Sequence, residues 1–131
     1  MTIAVVDAAT VVDLICNLPA ADPYRHHLAM ADTVAVPAHL DAEVLSALGR
    51  LKRAGQLTHE ADRLEALRTF GARRWPLQPL LAATWALTDR IAVRDALYVA
   101  LAVSLDATLV SSDGRLRRAA SGIVDIAEPN E

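Results

Sequence analysis

The chain reads as an α/β protein: a central, mostly parallel, twisted sheet of four or five strands, flanked by helices in three layers. Three observations predict it. Short runs rich in β-branched residues, Thr2–Val6, Thr33–Val36 and Thr108–Val110, alternate with longer segments of helical periodicity, the pattern of parallel strands with crossover helices. The block Ala96–Val103 is apolar on every side, as a helix buried in the core is. Two of the strand-like runs end at or beside an aspartate, Asp7 and Asp113, and in open α/β sheets ligands collect at the carboxyl ends of strands.

Each element follows in order. Thr2–Val6 is a first, buried parallel strand with Asp7 at its carboxyl end; taken alone, Asp7 also suits a turn or a helix N-cap. Thr10–Leu18 is a short helix broken by Pro19–Pro23, and Tyr24–Met30 is a second. Its adjacent His26 and His27 point about 100° apart, poor geometry for one metal ion, and are read as surface residues. Thr33–Val36 is the second strand, stopped by Pro37. Next comes an amphipathic helix, His39–Ala54, with Leu40, Val44, Leu48 and Leu51 on one stripe. Glu43 lies about 60° from Leu40, at the edge of that stripe and one turn from the helix start. Arg50, Lys52 and Arg53 form a basic end that suits the helix dipole. Gly55 ends this helix, and Thr58 is positioned to cap the next, Thr58–Phe70; the two are expected to form a hairpin. Arg73–Leu77 is an edge strand, where Pro76 is tolerated. Pro79–Leu87 is a helix with Trp85 packing inward. Asp95 heads the buried block, Thr108–Val110 is an interior strand, Leu116–Ala119 a short basic helix and Ile123–Ile126 a last strand. Glu128–Glu131 is a polar tail.

At 131 residues the sequence suits one domain, 1–131, large enough for a real core. With 53% hydrophobic but only 4% aromatic residues, that core is built from Ala, Leu and Val. No apolar run reaches the ~18 residues of a membrane-spanning helix, and Asp7 interrupts the first apolar stretch too early for a signal peptide; a cytoplasmic location is expected. A lone cysteine, Cys16, excludes an internal disulfide and an all-cysteine zinc site. The net charge of −3 looks unsuited to nucleic acid. Set four metal-holding acids aside, however, and the remaining 12 acids face 13 bases, 12 of them arginine, the better fork for phosphate.

Those four acids are Asp7, Glu43, Asp95 and Asp113, two at strand ends and two near helix starts. Four carboxylates cannot all ionise cheaply in one pocket, because like charges raise each other's pKa; in the absence of metal some are expected to hold a proton above pH 5. Asp95 gains support from a helix dipole, whereas Asp113 has none in this reading. Hard divalent cations relieve the repulsion, and Mg²⁺ and Mn²⁺ prefer carboxylate and water oxygens. Such a site can hydrolyse a phosphodiester with no Ser, Cys or His nucleophile.

The segments VVDAATVVDLI, HLDAEVLSALGRLKRAG, RDALYVALA and LVSSDGRL, in this order and spacing, resemble a PIN domain, and within it the VapC toxins of VapBC toxin–antitoxin pairs. The resemblance covers essentially the whole chain and is most specific in DALYVALA followed by LVSSD. It implies a PIN-like fold and an Mg²⁺- or Mn²⁺-dependent endoribonuclease that cuts RNA, commonly tRNA or rRNA. It also implies silencing by a cognate VapB-type antitoxin, a homodimer, and Asp7, Glu43, Asp95 and Asp113 as the catalytic and metal-holding acids. Ser111 matches the hydroxyl usually found two residues before the last acid. Two positions depart from the pattern: Ala9 stands where Ser or Asn is frequent, with Thr10 one step further as the supporting hydroxyl, and Arg94 stands where Tyr commonly precedes the third acid. Arg94 and Arg115 are the first choices for steering phosphate.

Two other classes compete. A dehalogenase-type phosphatase wants a second Asp two residues after the first, which Ala9 denies; a receiver wants a late Lys, and the only Lys is Lys52. A catalytically weak PIN-like module that acts mainly by binding its antitoxin is the alternative within the family.

Overall fold

The computed structural model describes residues 1–129. Among these residues five strands form one sheet: β1 (Ile3–Val6), β2 (Thr33–Pro37), β3 (Arg73–Trp75), β4 (Thr108–Val110) and β5 (Asp125–Ile126). Their order across the sheet is β3-β2-β1-β4-β5, and every pairing is parallel. The central β1 is flanked on both sides, which is why Val5 and Val6 are wholly buried: a strand covered on both faces reads as an unbroken apolar run.

Among the described residues seven α-helices connect and cover the strands: α1 (Ala8–Ile15), α2 (Arg25–Met30), α3 (Leu40–Arg53), α4 (Glu60–Arg68), α5 (Leu81–Ala86), α6 (Val93–Leu105) and α7 (Gly114–Ala120). Two 3-10 turns, Pro19–Tyr24 and Gln78–Leu80, precede α2 and α5. Parallel crossovers are right-handed, so the connections stepping from β1 to β2 to β3 put α1 to α4 on one face. Those stepping the other way, to β4 and β5, put α5 to α7 on the opposite face. Contacts agree: α6 lies on β1, β2 and β4 with α5 against it, and α1 meets α3 and α4. Between β1 and β4 the connections depart in opposite directions, and the carboxyl ends of these two neighbours form the switch point of the sheet.

α6 is the buried helix the apolar block predicts, with every residue from Ala96 to Ala102 buried. It begins at Val93, so Asp95 stands in its first turn. Beyond α6, Asp106 takes a left-handed conformation (φ 51°) and ends the helix.

Several expectations are revised. His59, in a left-handed conformation with no side-chain cap, and not Thr58, occupies the N-cap of α4, which ends at Arg68. α3 and α4 do not form a tightly packed hairpin; α1 is the principal helix neighbour of each, and a Lys52–Glu60 ion pair (2.9 Å) joins their near ends. Trp85 does not pack inward: it is 75% exposed while the smaller Thr84 takes the buried position. The last strand is only Asp125–Ile126. Of the polar tail, residues 130 and 131 lie outside the described residues. Among the described residues no helix is long and apolar enough to cross a membrane.

Arg74 secures the sheet edge that carries α3. Its guanidinium donates to both carboxylate oxygens of Asp41, at 2.8 and 3.2 Å, and to the carbonyls of Phe70 and Ala72, both at 2.9 Å. This bidentate pair ties the start of α3 to β3.

Because α6 is the element every layer touches, Leu101→Ala, at a 1% exposed position, is expected to cost about 2–5 kcal/mol. Val103→Ala, on the 52% exposed face of the same helix, is expected to stay within about 0.5 kcal/mol. Urea denaturation of both variants checks this; equal losses would contradict the placement of α6.

Candidate active site

Asp7 follows β1 directly, and the register of β1 on β4 pairs Val6 with Val110. The next residues, Asp7 and Ser111, therefore stand opposite one another at the switch point. The Ser111 hydroxyl donates to Asp7 Oδ2 at 2.9 Å. The other oxygen, Oδ1, accepts from the Thr10 backbone N–H at 3.2 Å and from the Thr10 hydroxyl. Asp7 is thus also the N-cap of α1, and its structural and chemical readings are both satisfied by one geometry. Thr10, one step beyond Ala9, reaches the carboxylate with main chain and side chain alike, and its hydroxyl oxygen accepts from the Ser112 N–H at 2.9 Å.

Asp113 ends the β4 loop. Its Oδ1 accepts from the Arg115 N–H at 2.9 Å, so it caps α7, which begins at Gly114. The expectation that Asp113 lacks helix support is therefore overturned: it sits at the positive end of α7. Its own N–H donates to the Ser111 hydroxyl at 3.1 Å, so Ser111 links the two strand-end aspartates.

Glu43 projects from the first turn of α3. Its Oε1 receives the Tyr98 hydroxyl at 2.7 Å and lies 3.1 Å from His39 Nε2, while Oε2 lies 3.9 Å from Arg94 Nε. Asp95, in the first turn of α6, is the fourth acid. One cleft of about 790 Å³ is lined by all four, together with Asp13, His39, Arg94, Tyr98 and Arg115. It continues between α1 and α3 past Ala8, Ala9, Ala42 and Ala47 to Arg50, so the exposed Ala9 opens the wall at the departure noted above.

The electrostatics of the four differ. Burial pushes Asp7 up to about 6 against hydrogen bonds from Thr10 and Ser111 that pull it down, with the Asp113 charge a smaller upward contribution. Burial also raises Asp95, helped by the charges of Glu43 and Asp113 and partly offset by Arg94 and Arg115. For Glu43 burial again pushes upward, but hydrogen bonds from His39 and Tyr98 and the positive charges of His39 and Arg94 outweigh it, leaving the carboxyl below its usual range. Asp13, a fifth acid overlooked in the sequence, is raised by burial against a hydrogen bond from Ser112, 3.2 Å away.

The donor set suits a hard divalent cation. It offers carboxylate oxygens and no thiol, and the one imidazole, His39, turns its Nε2 toward Glu43. Among the described residues no three acidic, His or Cys side chains close into a ready-made cage. Arg94 (73% exposed side chain) and Arg115 both border the cleft.

The PIN domain family model matches residues 4–122. Ribonuclease VapC3 of Mycobacterium tuberculosis is 44% identical over 118 residues, 88% of this chain and 85% of that protein. Ribonuclease VapC12 of the same organism is 36% identical over 115 residues, 86% and 88% of the two chains. Among solved structures, VapBC2 from Rickettsia felis, bound to a DNA fragment from its promoter, superposes with a TM-score of 0.70 at 16% identity, covering 96% of this chain and 98% of that one. The chain therefore belongs to the PIN domain family, among its VapC ribonucleases.

The raised Asp7 carries a pH signature. Its native pKa, about 6, exceeds the ~3.9 of an unfolded chain, so the native state binds the proton more tightly. Stability of the metal-free protein is thus lost as pH rises from about 4 to about 6, by up to ~3 kcal/mol from this group. Asp7→Asn removes that loss. In EDTA, the melting temperature of the variant relative to wild type is expected to climb between pH 4 and 6 and to level off above. Parallel curves would show that Asp7 is not the proton-binding group.

Proposed function

We propose that this chain is the toxin of a type II toxin–antitoxin pair, an endoribonuclease that hydrolyses RNA, with tRNA or rRNA as the substrate class, through Asp7, Glu43, Asp95 and Asp113. The observation that carries this reading is the convergence of four carboxylates from β1, α3, α6 and the β4–α7 junction on one cleft at the switch point. The ribonuclease relatives support the reaction class.

Asp7, Asp95 and Asp113, with Glu43, are the residues that would hold Mg²⁺ or Mn²⁺. Bound there, the cation supplies Lewis-acid stabilisation of the charge that builds on a phosphodiester during in-line attack. The chain does the rest. Thr10 and Ser111 fix the Asp7 carboxylate in one orientation, which limits reorganisation during reaction. Glu43 remains ionised and keeps Oε2 unengaged by a hydrogen bond, a suitable acceptor for the proton of the attacking water. Arg94 and Arg115 at the cleft mouth offer forks to the flanking phosphates, and Arg50 extends the basic track along α3.

The partner reading follows from the same charges. An acidic pocket is most simply silenced by a cation, so the antitoxin inserts Arg or Lys beside the four acids. Its apolar anchors lie along His39–Phe70, where Leu45 and Leu64 are 49% and 44% exposed. The exposed Leu81 and Trp85, one turn apart on α5, support a homodimer through that face. A complex whose antitoxin avoids both the acid pocket and the His39–Phe70 surface would refute the placement.

Cleavage of total RNA by purified protein in millimolar Mg²⁺ tests the central reading. Asp7→Asn is expected to abolish cleavage while leaving the far-ultraviolet circular dichroism unchanged, and excess EDTA to silence the wild type. Undiminished cleavage by the variant, or full activity in EDTA, sinks the proposal. Sequencing the new RNA 5′ ends identifies the cut site.

A further inference from the structure

His39 and Tyr98 are the two side chains at the cleft whose polar atoms no simple structural role explains. His39 is the N-cap residue of α3, yet its side chain does not cap the helix. The imidazole turns instead toward the start of α6, where Nε2 lies 3.0 Å from the Arg94 carbonyl and 3.1 Å from Glu43 Oε1. Both partners accept, so Nε2 carries a proton. Nδ1 is buried with no partner, which costs free energy and so calls for a compensating role of the Nε2 side. Tyr98 is 1% exposed in the most apolar segment of the chain, where Phe would fill the same volume, and its hydroxyl reaches Glu43 Oε1 at 2.7 Å.

These groups form a two-by-two arrangement. His39 and Glu43 are one turn apart on α3, and Asp95 and Tyr98 are one turn apart on α6, spacings that put each pair on one helix face. Two hydrogen bonds cross between the helices, His39 to the Arg94 carbonyl and Tyr98 to Glu43, and the His39 and Tyr98 rings pack 5.0 Å apart at 44°. Glu43 and Asp95 are like charges that repel, and this cross-link holds them across the same cleft. Tyr98 donates to Oε1 of Glu43, and His39 Nε2, whose hydrogen bond goes to the Arg94 carbonyl, lies 3.1 Å from the same oxygen as an ion-pair neighbour, which leaves Oε2 to the cleft.

We propose that His39 and Tyr98 are positioning residues that lock Glu43 through Oε1, so that it presents a single oxygen to cation or water, and that His39 sets the spacing of Glu43 from Asp95 by tethering the Arg94 carbonyl. The proposal rests on the metal-dependent reading above and names residues that the four-acid pattern omits. Outer partners that orient carboxylate ligands typically contribute 10–100-fold to metal affinity or activity.

The test uses the full chain and Mn²⁺ as the probe, with affinity read from the paramagnetic signal of free ion and, separately, kcat and KM for RNA cleavage. His39→Leu is expected to weaken Mn²⁺ binding and lower kcat, each by about 10–100-fold, with KM for RNA little changed. His39→Gln, whose amide N–H can occupy the Nε2 position, is expected to recover most of both. Tyr98→Phe, which keeps the ring packing, is expected to show the same kind of loss as His39→Leu and keeps the idea testable should His39→Leu fail to fold. Wild-type Mn²⁺ affinity and kcat in a folded His39→Leu or in Tyr98→Phe overturn the proposal. So does a Gln variant as impaired as Leu. A wild-type protein that neither binds Mn²⁺ nor cleaves RNA overturns this proposal together with the reading beneath it, whereas an active wild type with unaffected variants overturns this one alone.

Discussion

The Asp7 carboxylate, buried where β1 and β4 end side by side, is the constraint from which the rest of the site follows. A carboxylate at 4% exposure is costly unless every lone pair is used. Thr10 and Ser111 answer that need from the two elements Asp7 must join, the helix after β1 and the strand beside it. Because one carboxylate caps α1 through Oδ1 and receives Ser111 through Oδ2, the register of β1 on β4 and the start of α1 are coupled. A slip of one residue would carry Ser111 away from the acid. Fold and chemistry therefore share one set of hydrogen bonds at the switch point, and neither can drift without the other.

Around that anchor the acids are treated unequally, and the inequality is physical. Asp7 and Asp95 are disfavoured as anions by burial and by like charges, while Glu43 is kept ionised by donors from His39 and Tyr98. Groups of one type with divergent environments are how a single cleft supports distinct roles. A cation would be drawn to the disfavoured pair, where it relieves the most repulsion, while Glu43 needs no cation to stay charged.

Much of this was legible in the sequence because it depends on local pattern. Asp7 and Asp113 terminate short β-branched runs, Asp95 heads a block with no polar face, and Glu43 stands at the border of an apolar stripe. Each of those signals survives in one dimension. The rest depends on contacts between elements far apart in the chain. Tyr98 reads as one more member of an apolar block until α3 is laid beside α6, and His39 reads as a helix-start residue. Asp113 seemed unsupported because Gly114 gives no helix signal, yet the chain turns into α7 there. Trp85 is expected to pack, but on α5 the smaller Thr84 takes the buried position. The N-cap of α4 falls one residue beyond Thr58 because His59 takes a left-handed conformation, which the residues around it do not announce.

The pairing of Val6 with Val110 has a consequence for how the molecule is made. During synthesis β4 follows β1 only after more than a hundred residues. Throughout that interval β1 can gain β2 but not its second neighbour, so the emerging chain has an open central edge and no switch point. Asp7 exists without Ser111, and Glu43 and Asp95 without Asp113. The cleft is therefore complete only once β4 lies beside β1, and a chain cut short at any earlier codon lacks both Ser111 and Asp113.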